Sequence, residues 1–105
     1  MTDAVELQVT FPDARSAQDA ARAAVENQLA ACAQITQVQS LYLWQDVIQN
    51  DAEWLVTFKT LAAAVPDLSG FLRDIHPYDV PQMTALPVVW TTEDYLGWIA
   101  RNVRH

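Results

Sequence analysis

The apolar residues of this chain repeatedly change their spacing, and that change of period limits its fold more than any single motif does. Val5-Glu6-Leu7-Gln8-Val9-Thr10-Phe11 alternates apolar and polar residues, the pattern of a half-buried strand, and Pro12-Asp13 ends it. Ala17, Ala20, Ala21, Ala24, Val25 and Leu29 then recur at helical spacing, so Ser16 to Leu29 reads as an Ala-rich helix with Ser16 as its N-cap. From Cys32 to Trp44 the period returns to two, with one slip of phase near Val38 that points to a bulge or twist. Asp46 to Asp51 carries turn chemistry, with Asn50-Asp51 the best turn pair, and Glu53 to Thr60 alternates again. Cys32 to Thr60 is therefore expected to form one long antiparallel hairpin. A second helix starts at Val65-Pro66-Asp67, buries Leu68, Phe71, Leu72 and Ile75, and stops at His76-Pro77. Met83 to Trp90 reads as a strand with Pro87 at an edge or irregularity. Thr92 caps a last helix whose apolar face is Tyr95, Ile99 and Val103.

The order β-α-β-β-α-β-α predicts an α+β domain. It is a ferredoxin-like double βαβ with an antiparallel sheet, two helices on one face and an extra C-terminal helix. No linker, repeat or low-complexity stretch divides the 105 residues, so residues 1–105 form one domain. Hydrophobic residues make up 51% and charged residues 18%, and four Trp are among them. That is more apolar area than one small core uses, and a subunit interface is the natural place for the surplus.

Charge and residue usage remove several functions. Thirteen acids against six bases give a net charge of −7, which repels phosphate backbones and argues against nucleic-acid binding. Two glycines cannot build a Gly-rich phosphate loop. One cysteine excludes an intrachain disulfide and a Cys-pair zinc site. No apolar run approaches the roughly 18 residues needed to cross a bilayer. Asp3 and Glu6 stand where a secretory signal would be basic, so a cytoplasmic location is expected.

The densest polar cluster is His76-Pro77-Tyr78-Asp79, in a loop bracketed by Pro77 and Pro81. Its imidazole and carboxylate, three residues apart, can share a metal or pass a proton. The alternative is a helix end, with His76 against the last carbonyls and Tyr78 filling a gap. Cys32 is either a soft metal ligand or a small buried hydrophobe. Lys59, the single lysine, can pair an anionic ligand or one of the acids. His105 is the other histidine, which leaves His76 as the one usable imidazole. The four Trp read mainly as core or interface anchors. No Ser-His-Asp set or paired carboxylates stand out, so an enzyme is not expected.

Several segments in order resemble the CutA family, the divalent-cation tolerance proteins. They are Leu29-Ala30-Ala31-Cys32, Ser40-Leu41-Tyr42-Leu43-Trp44, Phe58-Lys59-Thr60, His76-Pro77-Tyr78-Asp79-Val80-Pro81, Ala85-Leu86-Pro87-Val88 and Tyr95-Leu96-Gly97-Trp98. Each is weak alone; the ordered set, running from about Leu7 to Val103, is specific. The resemblance implies a tight homotrimer in which the Cys32–Thr60 hairpin reaches the neighbouring subunit, similar to the arrangement of PII signalling proteins. It also implies a part in tolerance of copper and other divalent cations, with no established reaction. There are departures. Where many members have His-Pro-Tyr-Glu, this chain has Asp79. The copper ligands proposed for some members fall on Val9, Ile75 and His76, so two of the three are missing. The usual Trp-x-Gly-Lys of the hairpin turn is Trp44-Gln45-Asp46-Val47.

The resemblance leaves Cys32, His76 and Asp79 as the candidate metal set, and Lys59, His76, Tyr78 and Asp79 as a candidate ligand pocket. Three functions follow. The first is a non-enzymatic homotrimer for divalent-metal tolerance, with copper or another divalent ion, and no resident cofactor, bound weakly at subunit clefts. The second is a PII-like sensor that holds a small anion with Lys59 and His76. The third is a structural trimer with no ligand of its own.

Overall fold

The computed structural model describes residues 2–104, so His105 lies outside the described residues. Four strands form one antiparallel sheet in the order β2-β3-β1-β4. The strands are β1 (Ala4–Phe11), β2 (Cys32–Trp44), β3 (Val47–Leu61) and β4 (Met83–Pro87). The helices are α1 (Ala14–Glu26), α2 (Val65–Ile75) and α3 (Glu93–Asn102), and a short 3-10 turn, Ala62–Ala64, leads into α2. This is the expected ferredoxin-like double βαβ with a terminal helix.

The two-residue period of β1 and β3 fixes what lies beneath α1 and α2. Leu7, Val9 and Phe11 pair across the ladder with Phe58, Val56 and Trp54. They share one core with the Ala17, Ala20, Ala21 and Ala24 stripe of α1 and with Leu68 and Leu72 of α2. Alanines on α1 let the helix lie close on the sheet without a void. Phe71 is half-buried and Ile75 is exposed, so the buried stripe of α2 is narrower than its spacing suggests. A second cluster joins Ala4, Ala31, Leu61 and Ala64 to Ile99 and Val103 of α3, while Tyr95 lies outside it and stacks on Trp98.

Five local expectations are corrected. The N-cap of α1 is Asp13, whose carboxylate accepts the Ser16 N–H at 2.7 Å, because the helix starts earlier than its alanine stripe. α1 also ends at Glu26 rather than Leu29. The β2–β3 register runs one-to-one from Cys32↔Lys59 to Trp44↔Val47, so the slip near Val38 is no bulge. The turn is not Asn50-Asp51 but Gln45-Asp46, both with positive φ (49° and 66°), as a two-residue hairpin turn requires. Asn50 and Asp51 lie inside β3, where their side chains pair across the ladder with Gln39 (2.6 Å) and the Tyr42 hydroxyl (2.6 Å). Finally, β4 stops at Pro87 rather than Trp90, although Val88 still donates its N–H to the Ala4 carbonyl.

β1 last touches β3 at Phe11↔Trp54, so residues 38–53 continue as a two-stranded ribbon with no third strand. The molecule is correspondingly long, 45 × 25 × 21 Å. The ribbon carries exposed Leu41, Leu43, Trp44, Val47 and Ile48.

The turn position makes a test of register. Asn-Gly at the true turn (Gln45→Asn with Asp46→Gly) should stabilise the protein by about 1 kcal/mol, since both residues tolerate positive φ. Asp51→Gly creates Asn-Gly five residues beyond the turn, inside β3, and should destabilise by about 1 kcal/mol, through a mid-strand glycine and a lost hydrogen bond. Urea midpoints of the two variants check the opposite signs.

Candidate functional site

Pro77 disfavours helix at the residue before it, so α2 ends at Ile75 and His76 turns to extended backbone (φ −76°, ψ 135°). That exit brings His76 to a gap in the sheet. The β1–β4 pairing stops at Val9↔Met83, so Thr10 and Phe11 face β3 on one side and no β4 residue on the other. His76 fills the vacancy. Its Nε2 lies 2.8 Å from the Thr10 carbonyl, and its ring stacks on Phe11 with centroids 4.5 Å apart. Its Nδ1 lies 3.0 Å from the Tyr78 backbone N–H.

These partners settle the tautomer. A carbonyl can only accept and an N–H can only donate, so Nε2 carries the proton and Nδ1 offers its lone pair. The ring is neutral and both nitrogens are engaged. Burial holds its pKa below the usual 6.5, and it outweighs the Thr10 hydrogen bond and the Glu53 charge, which favour the protonated form.

The loop continues to Tyr78, whose hydroxyl donates to Glu53 Oε2 at 2.7 Å. Burial first, and then this bond to a carboxylate, push the phenol well above its ordinary range. Glu53 lies on β3 opposite Val38 and is 6% exposed. A groove of about 670 Å³ opens here, between the loop and the hairpin, lined among others by Thr10, Tyr42, Trp44, Glu53, Tyr78 and Gln82. Hydrogen bonds thus run from β1 through His76 and Tyr78 to β3.

The other expected site residues do not join this arrangement. Asp79 is on the same loop but exposed. Lys59 bonds Glu6 Oε2 at 2.5 Å across the β1–β3 ladder. It lies four residues along β3 from Leu55, the partner of Thr10, or about 13 Å of extended strand. Lys59 and His76 therefore do not form one anion pocket. Cys32 opens β2 opposite Lys59, half-buried and free, at that same far end. Among the described residues no three His, Cys, Asp or Glu side chains are grouped to hold a metal ion. Cys32, His76 and Asp79 do not meet within one chain, and His76 has no lone pair to spare.

The residue that sequence reasoning passed over is Glu53. An acid opening an alternating stretch reads as solvated, and only the fold brings Tyr78 to it.

Two outcomes test this site. Tyr78→Phe removes the phenol donor from a buried carboxylate and should cost about 1–3 kcal/mol in unfolding free energy. The lowered His76 pKa means that the unfolded chain takes up the proton more readily, so its contribution is present above about pH 6.5 and is lost as pH falls. Urea midpoints compared at pH 7 and pH 5.5 should therefore fall less in His76→Phe than in the parent.

Residues 5–102 match the family model described as CutA1 divalent ion tolerance protein. The mouse Protein CutA is 44% identical over 87% of this chain, which spans 52% of that relative; this chain covers about half of the mammalian proteins it matches. The divalent-cation tolerance protein CutA of Thermus thermophilus is 38% identical over 90% of this chain and 92% of its own length. Among solved structures, CutA from Synechococcus elongatus superposes with a TM-score of 0.95 at 34% identity, covering 99% of this chain and 93% of that one. The ordered motifs, the sheet topology and these matches agree: the chain belongs to the CutA1 divalent ion tolerance family.

Proposed function

We propose that this protein works as a non-catalytic homotrimer in divalent-cation tolerance, acting in the cytoplasm. Copper or another divalent ion is its cargo rather than a resident cofactor. Family membership supports the tolerance role. The observation that carries the assembly is the ribbon of residues 38–53, which has no third strand and exposes Leu41, Leu43 and Ile48. A lone two-stranded ribbon is marginal in water, and a neighbouring copy along its edge supplies what it lacks.

Metal contacts in this reading are completed between subunits. Cys32 and Asp79 belong to no group of three or more His, Cys, Asp or Glu side chains among the described residues, and they contribute to clefts that a second copy closes. His76 acts as a positioning residue, holding the loop that presents Asp79.

Light scattering should give a particle three times the 11.8 kDa chain. Leu43→Asp with Ile48→Asp should dissociate it. Calorimetric titration of the reduced trimer with Cu(II), Cu(I) and Zn(II) should show binding that weakens at least about tenfold, near 1.4 kcal/mol, in Cys32→Ser with Asp79→Asn and in the dissociated variant. A monomeric parent protein, or metal binding unchanged by dissociation, would contradict the proposal.

A further inference from the structure

The ribbon has a defined root. Phe11↔Trp54 is the last β1–β3 pair, so Val38↔Glu53 is the first pair that β1 does not support. There the loop takes the place of a strand. The Tyr78 hydroxyl donates to Glu53 Oε2 at 2.7 Å, and His76 Nε2 holds the Thr10 carbonyl, next to the end of β1, at 2.8 Å. Residues 76–82 form no helix or strand, so these side-chain bonds tie the segment to the sheet. All of them lie within one chain and do not depend on what covers the ribbon's edge.

The loop side of this brace depends on the charge of His76. Nδ1 accepts the Tyr78 backbone N–H at 3.0 Å, and only a neutral ring has the lone pair for that. Proton uptake places an N–H on Nδ1, so two donors face each other and the Tyr78 N–H loses its acceptor. The Nε2 bond to Thr10 survives, because Nε2 carries a proton in both states. Pro77 and Pro81 restrict the backbone, so the loop yields as a unit and takes Tyr78 with it. Burial favours the neutral ring and outweighs the Thr10 bond and the Glu53 charge. Glu53 of β3 and the Tyr78 phenol of the loop are the titratable groups that face the ring; β1 presents the Thr10 carbonyl and the Phe11 ring. Arg73 and Asp74 at the end of α2, and Asp79, are exposed.

We infer that the His76–Gln82 loop is a proton-operated latch on the root of the ribbon. With His76 neutral, Tyr78 is fastened to Glu53 and the root is held against the sheet. With His76 protonated, the loop lifts, Tyr78 leaves Glu53 and the root loosens. In the trimer of the proposed function, on which this last consequence rests, a loosened ribbon weakens the hold on the neighbouring copy. An open loop restores an ordinary histidine, so opening grows as pH falls below about 6.5, by about tenfold per pH unit at most for one proton.

Amide hydrogen exchange of the whole protein, followed by NMR at pH 7.5, 6.5 and 5.5, tests the latch. Rates are expressed as protection factors, which removes the pH dependence of intrinsic exchange. Between pH 7.5 and 5.5 the protection of the Tyr78 amide should fall severalfold, and that of residues 38–53 with it, while the amides of α1 keep theirs. His76→Asn does not titrate and still offers an acceptor to the N–H two residues on, so its protection should not change with pH. Tyr78→Phe tests the link without touching the histidine: the residue 78 amide should still respond to pH, and the ribbon should not. Protection of Tyr78 that is constant with pH in the parent, an equal fall in His76→Asn, or an unaltered ribbon response in Tyr78→Phe would overturn the inference. Light scattering on the same samples separates the two proposals: a monomer whose loop opens with acid sustains the latch and defeats the trimer.

Discussion

The unbroken pairing of β2 with β3 organises this molecule. Thirteen consecutive partners run from Cys32↔Lys59 to Trp44↔Val47 without a bulge. Because side chains alternate with a period of two, one slipped residue would turn every side chain to the opposite face. The register therefore determines together which residues enter the core, that Glu53 stands opposite Val38, and that the turn falls on Gln45-Asp46. It also carries the hairpin well past the end of β1, which leaves an apolar ribbon with an open edge.

A second constraint sits where the sheet runs short. β4 covers β1 only as far as Val9, and His76 takes over at Thr10. One imidazole thus caps a strand carbonyl, stacks on Phe11 and fixes the first backbone N–H of a proline-stiffened loop beyond it. Tyr78 then carries the connection to Glu53. The histidine that invites a metal or proton-transfer role is, in the protomer, a structural bridge with both nitrogens occupied. The groove it helps to shape owes its charge to Glu53.

Much of the fold was legible because burial imposes periodicity. The alternation of Val5 to Phe11 and the alanine stripe of α1 follow from which face must leave water, and the Thr92 cap follows from the unpaired N–H groups at a helix start. Competing local signals were harder to rank. Asn50-Asp51 has better turn chemistry than Gln45-Asp46, yet cross-strand bonds to Gln39 and Tyr42 hold it in the ladder. Ser16 and Asp13 can both cap a helix, and the alanine stripe does not say where the first turn begins. At the site, the loop residues were visible as a cluster, but the helix-end alternative missed their partners: His76 meets the Thr10 carbonyl of β1 rather than the last carbonyls of α2, and the Tyr78 hydroxyl bonds Glu53. The separation of Cys32 and Lys59 from His76, and the meeting of Tyr78 with Glu53, depend on register between distant segments. No local pattern encodes that.

The claim that His76 is a neutral bridge rather than a ligand is open to a direct measurement. Nitrogen chemical shifts of the imidazole at pH 7, assigned with a His105 variant, report both the tautomer and any metal bond. The account predicts a neutral ring protonated at Nε2 whose shifts stay unchanged when equimolar Zn(II) is added to the assembled protein. A ring protonated at Nδ1, or a large shift of either nitrogen on adding zinc, would contradict it.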